Sequence, residues 1–167
     1  MATNEARDRR IRSANSWITR LLRSPLHSLI SGNTMLITVT GKQTGKRYTV
    51  PVNYARDGDS LIVRSRAGRT WWRNLRGGAP VELRLRGRDL EGHADIIEGA
   101  AAVSNELQLL LRRAPALVGR LHVTSVAVGL PKHSEQLTQF AEQNVLVRIG
   151  ELAPLEHAGR AQEVGHG

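Results

Sequence analysis

The sequence predicts a mainly β protein, a six-stranded antiparallel β-barrel with flanking helices, on three observations. Six short segments, at residues 35–40, 47–54, 61–65, 81–86, 90–97 and 145–149, are rich in β-forming or alternating apolar residues, as strands are. Turn residues separate several of these segments by only a few positions, which is typical of antiparallel hairpins. Closing such a meander into a barrel removes the exposed strand edges.

The strands and turns each have their own signal. The run from Thr34 to Thr40 is a continuous stretch of β-formers, and a turn with two glycines follows it. The second strand contains Pro51, which has no N–H to donate, so we expect this strand to lie at an edge or a bulge. The Asp57–Gly58 step is a strong hairpin signal. Gly87 and Arg88 are expected to turn the chain between the fourth and fifth strands.

Four segments have helical patterns. Residues 4–22 carry an apolar face and many arginines, and Pro25 ends this amphipathic helix. Residues 70–75 are predicted to form one or two helical turns, with Thr70 as a cap. Residues 100–113 form a helix whose inward face is Leu107, Leu110 and Leu111, and residues 131–143 form a short one. We therefore expect an N-terminal helix at 1–30, a cofactor-binding barrel at 31–150 and a flexible tail at 151–167.

Composition excludes several classes of function. The 167 residues include no cysteine, which rules out disulfides, thiolate metal sites and a cysteine nucleophile. The N-terminus lacks the apolar core of a signal peptide, and no apolar run is long enough for a membrane span. We expect a soluble, cytoplasmic protein. The net charge of +9 is compatible with nucleic acid, an anionic membrane or a small polyanionic ligand.

The first candidate motif is the basic, glycine-containing turn at residues 41–47, GKQTGKR. Glycines let backbone amides point at an anion, and the lysines and the arginine add positive charge. It is not a P-loop, because the spacing is short and a strand rather than a helix follows. A solvated hairpin tip explains the same residues.

The second candidate motif surrounds two adjacent tryptophans, Trp71 and Trp72, with the arginines Arg64, Arg66, Arg69, Arg73 and Arg76. Basic groups bind phosphates and tryptophan faces stack on flat rings. In the alternative interpretation one tryptophan belongs to the core and the arginines lie on the surface. No histidine has metal-ligand spacing, so we expect no metal, and no residue stands out as catalytic.

Taken together, the order of these motifs resembles the deazaflavin (coenzyme F420)-dependent nitroreductase family. The resemblance covers about residues 30–98. It rests on four features: the strand that leads into residues 40–45, the TVPV sequence at 49–52, the Asp57–Gly58 turn and the WWRNL sequence at 71–75. It implies a six-stranded split β-barrel of the flavin/deazaflavin oxidoreductase superfamily, related to the FMN-binding pyridoxamine phosphate oxidase-like barrels.

The resemblance also implies where the cofactor lies. The turn at 41–45 and the next strand would hold its phosphate tail, the backbone at 51–53 would lie beside its ring system, and residues 64–67 and 70–74 would complete the pocket. Two positions differ from the family pattern: Gln43 replaces a lysine and Tyr48 replaces an arginine. The expected cofactor-binding residues are Lys42, Gln43, Thr44, Lys46, Arg47, Tyr48, Thr49, Val50, Pro51, Val52, Asn53, Arg64, Ser65, Arg66, Arg69, Thr70, Trp71, Trp72 and Asn74.

The function implied is hydride transfer from coenzyme F420 to a quinone, a nitroaromatic or another activated double bond. An FMN-binding reductase, or a non-catalytic protein that binds a cofactor or an apolar ligand, are the alternatives. We expect a small apolar acceptor, a homodimer and peripheral membrane contact through the N-terminal helix. We expect no nucleic acid, because aromatic residues are only 4% of the chain.

Strand directions add a geometric prediction. An antiparallel return places the turn at 41–46 and the end of the third strand at the same end of the sheet. We therefore expect the cations there to converge on one groove beside Trp71 or Trp72, where an anion would relieve their repulsion. These cations are Lys42, Lys46, Arg47, Arg64, Arg66 and Arg69.

Overall fold

A computed structural model of the chain describes residues 32–121 and 133–156, without the side chains of residues 133 and 134. The predicted helix at 4–22 therefore lies outside the described residues. The strands are β1 (Thr34–Thr40), β2 (Arg47–Asp57), β3 (Ser60–Arg66), β4 (Ala79–Leu85), β5 (Arg88–Ile97) and β6 (Asn144–Pro154). The helices are a 3₁₀ helix (Trp71–Leu75), α1 (Ala100–Arg113), α2 (Pro115–Arg120) and α3 (His133–Gln143).

The six strands form a closed antiparallel barrel in the order β1-β2-β3-β6-β5-β4, which confirms the predicted fold class. Alternate residues point inward, as the period of a strand requires. Met35, Ile37 and Val39 of β1 join the barrel core. Leu36, between them, points to the outer face.

The barrel is split where β2 and β3 separate. Residues 47–53 of β2 pair with β1, whereas its pairing with β3 runs only from Tyr54 to Asp57. Strand β3 pairs with β6 from Leu61 to Arg66, and beyond Val63 this is its one pairing among the described strands. Pro51 lies in the part of β2 that is paired on one side only, where a residue without an N–H is tolerated. The predicted edge is therefore local, within an otherwise closed sheet.

A β-bulge interrupts the pairing of β5 with β6. The register shifts between Glu91 and His93, and a Cβ added to Gly92 would lie 2.9 Å from the carbonyl oxygen of Gly150. Only glycine therefore allows this close backbone approach. Beyond the bulge β6 continues to Pro154, which pairs with Leu90. The predicted end of this strand at Ile149 was therefore too early.

The turn between β4 and β5 is shifted by one residue from the prediction. Arg86 and Gly87 form it, with φ values of 47° and 80°, as a two-residue hairpin turn with positive φ requires. Arg88 already belongs to β5 and pairs with Leu85. Placing Arg86 in the strand and Arg88 in the turn was therefore wrong.

The helices cover the outer face of β3 and β6. Ile62 and Leu146 of these strands pack with Val103, Leu107 and Leu110 of α1 in a second apolar cluster. Leu111, predicted to face inward, is only partly buried against this cluster. The ranges that the structure describes contain no helix long and apolar enough to span a bilayer.

Candidate functional site

Three segments meet at one end of the barrel. Thr40 at the end of β1 pairs with Arg47 at the start of β2, and Arg66 at the end of β3 pairs with Asn144 at the start of β6. Because neighbouring strands are antiparallel, the turn at 41–46, the loop at 67–70 and the 3₁₀ helix lie at this same end. Both basic motifs of the sequence are therefore beside the split between β2 and β3.

The turn at 41–46 is closed by its own backbone. The Gly41 N–H donates to the Lys46 carbonyl over 2.7 Å, and the Gly45 N–H donates to the Gly41 carbonyl over 2.8 Å. A Cβ on Gly41 would lie 2.8 Å from Thr44 Oγ1 and 2.9 Å from Tyr48 Cε2. Glycine therefore leaves room for the ring of Tyr48, whose hydroxyl lies 3.3 Å from Thr44 Oγ1.

Lys42 connects this turn to the 3₁₀ helix. Its backbone N–H donates to Asn74 Oδ1 over 3.3 Å, and its ammonium group donates to the carbonyl of Arg76. Asn74 in turn donates to the Trp71 carbonyl over 3.1 Å. Lys42 and Asn74, both expected at the site, are thus brought together.

Both tryptophans of the second motif are buried and close this end of the barrel core. Trp71 is 7% exposed and Trp72 is 3% exposed, so the interpretation that assigns only one of them to the core is wrong. Trp72 Nε1 donates to the Arg66 carbonyl over 3.3 Å. The guanidinium of Arg76 lies 5.0 Å from the Trp72 ring centre. Thr70 precedes the helix but makes no capping hydrogen bond with its side chain, contrary to prediction.

Arg64 and Arg66 lie on the outer side of β3, the side of Ile62. The guanidinium of Arg64 lies 5.7 Å from the ring centre of Phe140 on α3. Burial lowers the pKa of Arg64, and the nearby charge of Arg66 lowers it further. Among the described residues neither of these arginines, nor Arg69, forms a salt bridge. This edge of the split therefore has positive charge that the described protein does not neutralise.

Arg47 points away from the other cations. It forms an ion pair with Glu82 on the outer face of β4. There it lines a cavity of about 470 Å³, together with Thr38 and Thr49, whose hydroxyls are 2.8 Å apart. Arg84, which pairs with Asp89 at 2.6 Å, completes its polar lining.

The other expected site residues follow the alternation of their strands. Val50 and Val52 face the barrel core, and Ser65 is buried on the same side. Asn53 accepts a hydrogen bond from the Thr34 hydroxyl over 3.0 Å. Gln43, Lys46 and Arg69 are exposed.

The six cations therefore do not share one groove. Arg47 is neutralised on one outer face, and Arg64 stacks against a helix on another. The topological prediction was correct about the end of the barrel but did not take account of side-chain direction. The sequence analysis missed Phe140, whose ring contacts Arg64, and Asn144, which pairs with Arg66. No local signal in the sequence connects α3 to β3.

This fold and this end of the barrel define a class, the split β-barrels that include flavin and deazaflavin oxidoreductases. A profile of the F420H(2)-dependent quinone reductase family matches residues 11–128. The chain belongs to this family of oxidoreductases, whose cofactor is coenzyme F420. No curated protein matches the sequence.

Solved structures similar to this chain have low sequence identity. An FAD- and heme-binding protein from Mycobacterium smegmatis is 17% identical over 73% of this chain, with a TM-score of 0.43, and the chain spans 62% of that protein. An F420 reductase is 15% identical over 76% of this chain and 93% of its own, with a TM-score of 0.41. A Listeria innocua protein assigned to the pyridoxamine 5′-phosphate oxidases is 14% identical over 78% of this chain and 94% of its own, with a TM-score of 0.42.

Proposed function

We propose that this protein transfers a hydride from reduced coenzyme F420 to a quinone, a nitroaromatic or another activated double bond. The cofactor would lie in the split between β2 and β3. The observation that carries the proposal is the separation of these strands beyond Tyr54 and Val63. Residues 47–53 and 64–70, which the proposal assigns to cofactor binding, lie on the two edges of this opening.

The charges of the described residues fit an anionic cofactor. Arg64, Arg66 and Arg69 have no carboxylate partner within the described ranges, and the charge of Arg66 helps to lower the pKa of Arg64. Like charges at short distance cost free energy unless an anion neutralises them. The backbone of residues 51–53 would contact the ring system, and the arginines of the β3 edge would contact the phosphate.

The residues of this chain would mainly orient the reactants and exclude water. When bound, coenzyme F420 supplies the hydride, so the protein needs to supply position and environment. The buried Trp71, Trp72 and Leu75 close the barrel core behind the site. Tyr48 is 42% exposed, and its hydroxyl would donate a hydrogen bond to a bound molecule.

Titration of the purified full-length chain with coenzyme F420, and separately with FMN, tests the proposal. We expect saturable binding of F420, followed by oxidation of its reduced form when a soluble quinone or a nitroaromatic is added. Saturable FMN binding without F420 binding would show that the cofactor is a flavin and not a deazaflavin. Tight F420 binding with no turnover across quinones and nitro compounds would indicate a binding protein instead.

We also infer that the chain forms a homodimer. The outer face of β2, β4 and β5 carries alternating charges, Arg47, Glu82, Arg84 and Asp89, which a two-fold copy of the same face could complement. Light scattering at micromolar concentration should give twice the chain mass, and a monomer mass would contradict the inference. We further propose that the protein is cytoplasmic and contacts membranes peripherally through residues 1–30.

A further inference from the structure

We propose that the chain holds the anionic, phosphate-bearing tail of its cofactor at the corner between β3 and α3, through Arg64 and Arg66. The glycine turn at 41–46 would then have a lesser role. This inference rests on the proposed function and specifies which edge of the split binds the anionic part of the ligand.

The cations on the turn side already have partners. The ammonium group of Lys42 is bonded to the Arg76 carbonyl, and Arg47 is paired with Glu82. Arg76 forms a two-bond ion pair with Glu98, at 2.9 and 2.7 Å. Position 48 is a neutral tyrosine. An anion at the turn would therefore have to compete for most of these groups, and Lys46 is the one basic side chain of the turn for which the described residues provide no partner.

The β3–α3 corner has the opposite character. Arg64 and Arg66 are two residues apart on a strand, so their side chains share its outer face. The ring of Phe140 supports Arg64 from one side. The Ala67 N–H donates to the Gln143 carbonyl over 2.9 Å, which fixes the end of β3 against the end of α3. The backbone that carries both arginines is therefore fixed against α3, and Arg64 also contacts the Phe140 ring.

Holding these charges together is unfavourable without an anion. Burial, and to a lesser degree the charge of Arg66, lower the pKa of Arg64, so its positive charge is less well stabilised here than in water. A phosphate or carboxylate group would reverse this, because charge-assisted hydrogen bonds to arginine are strong and two arginines can grip several oxygens. Positive charge that the fold retains at a cost points to a ligand of opposite charge.

A buried amide oxygen at this corner also lacks a partner among the described residues. Asn144, which pairs with Arg66 across β3 and β6, is 6% exposed, and its Oδ1 has no hydrogen-bond partner among the described residues. Its amide nitrogen donates to the Phe140 carbonyl over 2.8 Å. Buried acceptors normally have a donor. The corner thus combines two cations without a carboxylate partner and a buried acceptor without a donor among the described residues.

Binding measurements with two ligands test whether the β3–α3 corner holds the phosphate-bearing tail. We would measure the dissociation constants of intact coenzyme F420 and of the same deazaflavin without its phosphate-bearing tail. The proteins are the full-length chain and the variants Arg64→Gln, Arg66→Gln and Arg112→Gln. Arg112 is exposed in the last turn of α1, outside the candidate site, and provides a matched control for the loss of one positive charge.

We expect Arg64→Gln and Arg66→Gln each to weaken binding of intact F420 about ten-fold, a change of about 1.4 kcal/mol, while binding of the tail-free deazaflavin stays unchanged. Arg112→Gln should leave both constants within about two-fold, because the residue lies outside the candidate site and its charge is screened by solvent. Far-ultraviolet circular dichroism and thermal melts confirm that each variant is folded.

The outcomes separate this inference from the proposed function. If both ligands bind and neither Arg64→Gln nor Arg66→Gln weakens F420 binding selectively, the tail does not bind at the β3–α3 corner, and the proposed function stands. If Lys46→Gln instead weakens binding of intact F420 but not of the tail-free deazaflavin, the turn at 41–46 holds the tail, and the assignment to the β3–α3 corner is wrong. If the unmodified chain binds neither deazaflavin, the proposed function itself fails.

Discussion

The guanidinium carbon of Arg64 lies 5.7 Å from the centre of the Phe140 ring, so a side chain of β3 is held by a side chain of α3. This contact connects the edge of the split to the helical layer outside the barrel. It also places a positive charge where the structure describes no carboxylate to neutralise it. The geometry of the candidate site therefore depends on packing between the helices and the barrel, as well as on the strands.

Replacing Trp72 should destabilise the fold strongly, because its ring closes one end of the barrel core. We expect Trp72→Ala to lower the free energy of unfolding by about 3–5 kcal/mol. Trp72→Phe should cost about 1–2 kcal/mol, since it keeps most of the ring but loses the Nε1 hydrogen bond to Arg66. Urea denaturation followed by circular dichroism measures both. A loss below about 0.5 kcal/mol for Trp72→Ala, comparable to that expected for the 53% exposed Leu109, would contradict this account.

Gly41→Ala should displace Tyr48 and distort the turn. The added Cβ would lie within 3 Å of both Thr44 Oγ1 and Tyr48 Cε2, so the turn must shift to accept it. We expect a loss of about 1–2 kcal/mol in unfolding free energy and weaker binding of any ligand that contacts Tyr48. Gly68→Ala is the matched control, because nothing lies within 4 Å of its added Cβ. Equal stability of the two variants would show that the turn is not constrained in this way.

Much of the fold was predictable because its signals are local. Alternation and hairpin turns identified six strands, and a hairpin turn at Gly58 joins β2 to β3. Strand β2 runs to Asp57, however, three residues beyond its predicted end at Tyr54. Gly150 to Pro154 lack a strand pattern and extend β6 only because β5 lies beside them. Arg86 adopts positive φ because the hairpin turn requires it there.

The site was less predictable because it depends on distant partners. The sequence shows that Arg47 is basic, but its neutraliser, Glu82, lies on another strand. Likewise, alternation places Arg64 on the outer face, and only the position of α3 reveals that Phe140 meets it there. The residues were correctly grouped at one end of the barrel, whereas their side-chain directions required the three-dimensional structure.

A charge network on the far side of the barrel should stabilise the packing of α1. Asp57 accepts from Arg113 and also from Arg148, the latter over 3.1 Å, and Arg148 pairs in addition with Glu106. We expect Asp57→Asn to lower the free energy of unfolding by about 1–3 kcal/mol, because it leaves two cations without this partner. Arg113→Gln should cost under about 1 kcal/mol, since its side chain is half exposed. A larger effect at Arg113 than at Asp57 in denaturant titrations would contradict this ranking.

Hydrogen–deuterium exchange of the full-length chain with and without coenzyme F420 tests the central claim most directly. The account predicts that F420 slows exchange in peptides covering residues 47–53 and 64–70, the two edges of the split. Peptides from α1 should be unchanged and serve as the internal reference. Protection confined to residues 82–89, around the outer cavity, or no protection at a saturating concentration of F420, would contradict a cofactor site between β2 and β3.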